Sequence, residues 1–280
     1  MAVAEKRVAV VTGSSSGIGD AVARRLAAAG FRVFGACRRA PADPVTGIEH
    51  IAVDVNDDSS VRGAVADVLR DAGRIDLLVN NAGYLCAGAV EEISIADAKA
   101  QFETNYFGVV RMSSAVLPGM REQRRGHIIT VSSLAGLVPV PYWGHYNASK
   151  FAVEGLMETL RHEVRPFGIQ VAMVEPGNIK TPFYARPQAT GMDAYAGPRG
   201  RAFAAMAWFE RKAPGPDAVA GKVAAIADDS HPALRNKITK EATQFTLLRW
   251  MLPPGAFESG VRRAFKLETK DRARPQGSVA

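Results

Sequence analysis

Tyr146 and Lys150 stand four residues apart in the run Tyr-Asn-Ala-Ser-Lys. On a helix that spacing puts both side chains on one face, one turn apart. An ammonium beside a phenol favours the phenolate and draws the tyrosine pKa from about 10 toward neutrality. A tyrosine so placed can give or take a proton near neutral pH. Ser133 closes the apolar run His-Ile-Ile-Thr-Val-Ser-Ser, which reads as a buried strand ending in small polar residues. Its hydroxyl is suited to bond the oxygen that Tyr146 protonates. Together the three residue types support proton transfer at a carbonyl or alcohol oxygen. A Tyr-x-x-x-Lys spacing is common by chance, so its weight depends on the elements that position it.

Those elements begin with residues 7–12 (Arg-Val-Ala-Val-Val-Thr), a short β-branched strand. It runs into Gly13-Ser-Ser-Ser-Gly17-Ile18-Gly19, and a helix follows from Asp20 to Ala29. Strand, glycine turn and helix start make a phosphate site, because free backbone N–H groups and the helix dipole face the anion and glycine admits close approach. A plain tight connection is the alternative reading of the turn. A second strand, Phe31 to Cys37, is followed by Arg38 and Arg39. At this place a carboxylate would bond a free ribose 2′-hydroxyl, whereas a guanidinium suits a 2′-phosphate. The expected coenzyme is therefore NADP(H); two solvated arginines are the alternative. A third strand, Ile48 to Val53, ends in Asp54-Val55, where Asp54 either accepts from an adenine amino group or caps the next helix.

The alternation continues with a helix to about Ala72, a strand at Ile75 to Asn80 and a long helix at Asp97 to Arg121 holding Asn105. A strand at Gly126 to Ser132, a helix at His145 to Arg165 and a strand at Ile169 to Val174 follow. The spacing predicts an α/β protein: one Rossmann-type doubly wound parallel sheet of about seven strands, helices on both faces, and a C-terminal lid and extension. The whole chain, 1–280, reads as one domain, with a substrate lid over about 182–212 and an extension over about 240–280. The lid rests on the breakers Pro182, Pro187, Gly191, Gly197, Pro198 and Gly200, with helices at Ala202 to Lys212 and Pro216 to Asp228 beyond them. A last strand is expected within Ala233 to Thr239, then two apolar clusters around Pro253-Pro254-Gly255 and a polar tail after Thr269.

Composition excludes several classes. Hydrophobic residues make up 47% and charged residues 22%, an ordinary globular balance. The only two cysteines, Cys37 and Cys86, have no metal-ligand spacing and make no disulfide framework. No metal is expected. The net charge of +7 comes from dispersed arginines and a mixed-sign C-terminal stretch, a solvated surface rather than a nucleic-acid-binding arm. No charged-then-apolar leader precedes the first strand and no run reaches spanning length, so the expectation is a cytoplasmic protein without stable membrane insertion.

In chain order, Thr12-Gly13-x-x-x-Gly17-Ile18-Gly19, Asn80-Asn81-Ala82-Gly83, Asn105, Ser133, Tyr146-x-x-x-Lys150 and Pro176-Gly177 resemble the short-chain dehydrogenase/reductase family. The likeness is dense over about residues 7–181, and the run from Glu91 to Tyr184 is similar to the branch of hydroxysteroid and retinol dehydrogenases. The resemblance implies roles for these positions. Tyr146 is the general acid in reduction and the base in oxidation. Lys150 lowers the Tyr146 pKa and holds the nicotinamide ribose. Ser133 orients the carbonyl, and Asn105, in a locally distorted helix, holds a water linking Lys150 to solvent. Gly13, Gly17, Ile18 and Gly19 approach the coenzyme phosphates, Asp54 and Val55 contact adenine, and Asn81, Ala82 and Gly83 follow the adenosine. Pro176, Gly177, Ile179 and Thr181 surround the carboxamide and pyrophosphate. Ser14, Ser16 and Arg38, with Arg39 in support, take the 2′-phosphate. One departure stands at Ser16, where NADP-preferring members often carry a basic residue.

The implied substrate is a hydrophobic ketone or secondary alcohol. Its candidate walls are Leu85, Cys86, Leu134, Val140, Tyr142, Trp143, Phe183, Tyr184, Met192, Tyr195, Phe203 and Met206. Pairing through the helices at 97–121 and 145–165 implies a homodimer or homotetramer. A non-catalytic NADP(H)-binding redox sensor is the other function class; it would show a broken tetrad, and all four residues are present.

Overall fold

The computed structural model describes residues 6–40, 45–181 and 191–268. β1 (Val8–Thr12) is buried at every position, as a strand covered on both faces must be. It is followed by α1 (Gly17–Ala28), β2 (Arg32–Cys37), β3 (Ile48–Ala52), α2 (Asp58–Ala72) and β4 (Leu77–Asn80). Then come α3 (Ile95–Phe102), α4 (Gly108–Glu122), β5 (Gly126–Val131), α5 (Gly144–Val164) and β6 (Ile169–Glu175). α6 (Asp193–Arg211), α7 (Asp217–Asp228), β7 (Arg235–Lys237), α8 (Lys240–Met251) and α9 (Pro254–Ala264) complete the order.

The seven strands form one sheet in the order β3-β2-β1-β4-β5-β6-β7, and every neighbouring pair is parallel. This is the doubly wound parallel sheet that the alternation of elements predicts. The chain winds outward from β1 to β3, then returns to β4 on the other side of β1. That reversal opens a crevice at the carboxyl ends of the central strands. One apolar layer, with Val61, Met112, Val116, Val153 and Met157, packs α2, α4 and α5 on one face. The other, with Val22, Leu26, Val219 and Val223, packs α1 and α7 on the opposite face.

The helix around Asn105 is distorted as the family resemblance implies, and two other elements differ from the sequence reading. The long helix at 97–121 is a continuous helical stretch from Ile95 to Glu122, interrupted at Glu103–Phe107 by one π-helical turn that contains Asn105. α6 starts at Asp193, well before the expected Ala202, and carries Gly197, Pro198 and Gly200 inside it. Tertiary contacts outweigh these breakers: Met192 N–H donates to Glu92 Oε1 at 2.8 Å, Arg199 pairs with buried Glu92, and Tyr195 bonds Glu91. Asp57 rather than Asp54 caps α2, accepting from Ser60 N–H at 2.7 Å.

Candidate active site

The glycine turn leaves no room for side chains. A Cβ at Gly19 would stand 2.1 Å from the Gly13 carbonyl oxygen, and one at Gly13 2.9 Å from Ala82 Cα. Gly13 and Gly17 hold φ of +65° and +60°, a region that L side chains rarely adopt. Asn81 ties the turn to the end of β4. Its Nδ2 donates to the carbonyls of Thr12 at 3.0 Å and Gly13 at 3.2 Å, while Thr12 Oγ1 accepts from the N–H groups of Asn81 and Ala82. At Ser16, the N-cap of α1, the side chain makes no capping bond, so the first-turn amides are left to face the cleft. A bound pyrophosphate suits such a cradle.

One cleft of about 630 Å³ runs from this turn to Tyr146. Gly13, Ser16, Gly17, Ile18, Arg38, Asp54, Val55, Asn81, Ala82 and Gly83 line it toward the glycine turn. Ser133, Tyr146, Lys150, Pro176, Gly177, Ile179 and Thr181 line it toward the start of α5. Ser14, Gly19, Arg39 and Asn105 stand off its wall. The hydroxyl of Ser14 is buried against Gly35 of β2 without a hydrogen-bond partner among the described residues, and Ser15 lines the cleft beside Ser16. Among the described residues, no cluster of three His, Cys, Asp or Glu could hold a metal ion.

α5 carries Tyr146 and Lys150 in its first two turns. Trp143 precedes the helix, and its ring meets that of Tyr146 edge-on at 5.7 Å. Lys150 Nζ donates to the Val131 carbonyl at 2.9 Å and stands 5.8 Å from the Tyr146 ring centre. Ser133 bonds the Tyr146 hydroxyl and also accepts from Ala135 N–H at 3.1 Å. Asn105 is fully buried: its Oδ1 accepts from Tyr84 N–H, and its Nδ2 donates to the Tyr84 carbonyl and to Ser149 Oγ at 3.1 Å. It thereby pins the chain after β4 to α5.

The charge states require one correction. Lys150 was expected to draw the Tyr146 pKa toward neutrality. Burial instead pushes Tyr146 up to about 12, and the Ser133 hydrogen bond offsets only part of that. The ammonium is held at the Val131 carbonyl, so removing the phenolate from water dominates. Lys150 itself is lowered to about 8 by burial, against a raising influence from Glu154. At neutral pH the phenol is therefore protonated, the state a general acid needs.

Of the proposed substrate walls, Leu85, Leu134, Val140, Trp143 and Met206 face the cleft. Cys86 packs instead with Ile93 and Ala98, and Tyr142 stacks edge-on against Phe203 at 6.2 Å. Met192 and Tyr195 serve the contacts of α6 with Glu92 and Glu91. Phe183 and Tyr184 lie outside the described residues. The sequence reading missed Phe209 of α6, Phe245 of α8, and Val261 and Phe265 at α9, all of which line the cleft. Thr239, the N-cap of α8, stands so close to Gly177 that a Cβ there would lie 2.4 Å from its hydroxyl. The extension is thus anchored at the Pro176-Gly177 turn.

Comparison with known proteins agrees with this architecture. The short chain dehydrogenase family model matches residues 7–190. The 3-ketodihydrosphingosine reductase of Bacteroides thetaiotaomicron is 44% identical over 179 residues, covering 64% of this chain and 66% of that protein. Dehydrogenase/reductase SDR family member 7B of Xenopus tropicalis is 33% identical over 190 residues, covering 62% and 61%. A short-chain dehydrogenase from Streptomyces avermitilis superposes with a TM-score of 0.79 at 32% identity, covering 95% of this chain and 98% of that one. A Burkholderia phymatum member solved with NAD (TM-score 0.73, 26% identity, 88% and 93% covered) and a metagenomic oxidoreductase solved with NADP (0.64, 29%, 83% and 95%) share the fold. The chain belongs to the short-chain dehydrogenase/reductase family and is an oxidoreductase of that family, and its likeness to member 7B fits the hydroxysteroid and retinol dehydrogenase branch. A nicotinamide coenzyme fits the cleft. No helix of the described residues is long and apolar enough to cross a membrane.

Proposed function

We propose that the chain is an NADP(H)-dependent ketoreductase, interconverting a hydrophobic ketone and its secondary alcohol through Asn105, Ser133, Tyr146 and Lys150. The observation that carries this reading is the convergence of Ser133, Tyr146 and Lys150 with the glycine turn on one cleft. The nicotinamide, when bound, supplies the hydride equivalent. The chain's own residues manage the rest. Ser133 bonds the carbonyl oxygen and Tyr146 gives it a proton as negative charge builds there. Lys150 holds the ribose and keeps a positive charge near the phenol. Asn105 fixes the Tyr84 backbone and Ser149, and so the seat of α5. Acid catalysis of this kind is worth about 10²–10⁴-fold.

NADP(H) is favoured by Arg38, which lines the same cleft as Ser15 and Ser16. No carboxylate follows β2, where a free 2′-hydroxyl would need one. Reduction is favoured by a tyrosine that stays protonated at neutral pH. The substrate end of the cleft is apolar, with Phe209, Phe245, Val261 and Phe265 among its walls. That lining and the name of the Bacteroides relative support a ketone with a long aliphatic chain. The outer faces of α4 and α5 are proposed to pair copies into a homodimer or homotetramer. Arg249 of α8 stacks on Phe151 of α5 at 5.4 Å and narrows what that face can offer.

The test is a panel of long-chain, aromatic and alicyclic ketones, scored by NADPH oxidation with NADH in parallel. The reading expects turnover of apolar ketones with NADPH at least about tenfold preferred, the low end of the 1.5–3 kcal/mol for a hydrogen bond to a charged group. Coenzyme binding without turnover of any ketone or alcohol would favour the redox-sensor class.

A further inference from the structure

Two acids that do not line the cleft stand behind Lys150. Glu154 lies one turn beyond it on α5, and Glu175 ends β6 just before Pro176; they are 4% and 0% exposed. The parallel pairing of β6 with β7 places Lys237 opposite Glu175 and Arg235 two residues earlier on the same face. Arg235 pairs with Glu154, reaches Glu175 Oε1 at 3.3 Å, and binds Glu158 Oε2 at 3.0 Å. Lys237 Nζ stands 3.9 Å from Glu175 Oε2. Three carboxylates therefore share one guanidinium, with a second cation at the margin.

The donors run short. Glu154 Oε1 and Glu175 Oε2 are buried; among the described residues the Ser132 hydroxyl is the one neutral donor beside Glu154, none reaches Glu175 Oε2, and the two acid side chains lie within hydrogen-bonding reach of each other. Two ionised carboxylates in such a place repel, and each missing donor is costly. A single proton between them removes both problems, as in other paired acids. Burial acts the same way, pushing Glu154 up to about 7 and Glu175 upward. From α5 and the end of β5, Lys150 is faced by Tyr146, Glu154 and the Val131 carbonyl. The acid pair is faced by Ser132, Glu158, Arg235 and Lys237.

We propose that Glu154 and Glu175 hold one proton between them, and that Glu154 is a positioning residue that keeps Lys150 an ammonium beside Tyr146. The inference rests on the reading of Tyr146 and Lys150 as the proton-handling pair. Release of the shared proton to solvent takes the pair from one negative charge to two and strengthens the hold on the ammonium. Loss of Glu154 removes the carboxylate that, among the described residues, opposes the burial of Lys150.

The test needs no turnover. Full-length protein labelled at lysine Cε is titrated by NMR, with the Lys150 signal assigned by its loss in Lys150→Met. Glu154→Gln is expected to lower the Lys150 midpoint by about one pH unit. Glu175→Gln is expected to raise it, because Glu154 then ionises more readily. Glu154→Asp keeps most of the wild-type value. In the infrared, the C=O stretch of a protonated carboxylic acid present near pH 6 is lost in both glutamine variants. An unmoved midpoint in Glu154→Gln, a shift of the same sign in both glutamine variants, or a missing acid band overturns the proposal. If Glu154→Gln does not fold, Glu175→Gln, Glu154→Asp and the infrared band decide. Shifts as expected in a protein that turns over no ketone would remove only the reductase reading; turnover with an unmoved Lys150 would remove only this one.

Discussion

The glycine turn and the C-terminal helices meet at the same cleft but are built on different terms. Around Gly13 and Gly19 the backbone touches backbone, and an added methyl would collide with the Gly13 carbonyl at 2.1 Å. In α6, by contrast, a Cβ at Gly200 would meet nothing within 4 Å. α8 presents Leu247, Leu248, Trp250 and Met251 outward, Trp250 at 84% exposure, while Phe245 turns inward to the cleft. Geometry fixed by backbone leaves few sequence solutions. Geometry fixed by side-chain packing leaves many, which is where substrate preference can vary without loss of the coenzyme site.

Mutations at the two ends can break this contrast. Gly19→Ala forces the Gly13 carbonyl or Asn81 to move, so NADPH affinity is expected to fall about a hundredfold, with about 1–3 kcal/mol of stability lost. Equilibrium binding and chemical denaturation measure both; wild-type affinity would mean the turn is not tight. Arg38→Asp is expected to weaken NADPH about 10–100-fold and NADH little, read as a ratio of dissociation constants. Equal losses would remove Arg38 from the phosphate end. Phe245→Ala is expected to raise the KM for an apolar ketone about fivefold while NADPH affinity holds. A matching loss of NADPH affinity would erase the division of labour. Smallest is Gly200→Ala in the exposed interior of α6, expected to stabilise by about 0.5–1 kcal/mol with unchanged kinetics.

What could be read from the chain follows the same division. The run Arg-Val-Ala-Val-Val-Thr with its three glycines specifies strand, turn and helix almost locally, and the i, i+4 spacing of Tyr146 and Lys150 puts them on one face of α5. Ser14 and Ser15 are the same residue type in adjacent positions, yet Ser14 packs inward against Gly35 while Ser15 lines the cleft, a distinction that residue type does not carry. Pro198 and the flanking glycines argued against the first turns of α6, which Glu91 and Glu92 hold from a distant segment. The link of Glu154 and Glu175 to Arg235 was hidden because strand order alone brings β7 beside β6. The pKa of Tyr146 depended on burial that a spacing does not carry.

The acid-base account also has a pH signature. Lys150, lowered to about 8, loses its proton as pH rises through that value, while Tyr146, raised to about 12, keeps its own. Initial rates of ketone reduction are expected to hold below about pH 8 and decline above it. A rate that climbs through that range would exclude Lys150 as a required ammonium.

The most direct measurement is the single-turnover rate of Tyr146→Phe beside its NADPH dissociation constant. The account predicts a rate loss of about 10²–10⁴-fold with coenzyme affinity within about threefold of wild type, since only the proton donor is removed. A variant that keeps more than about a tenth of wild-type activity would contradict it, because no such loss would then belong to the phenol.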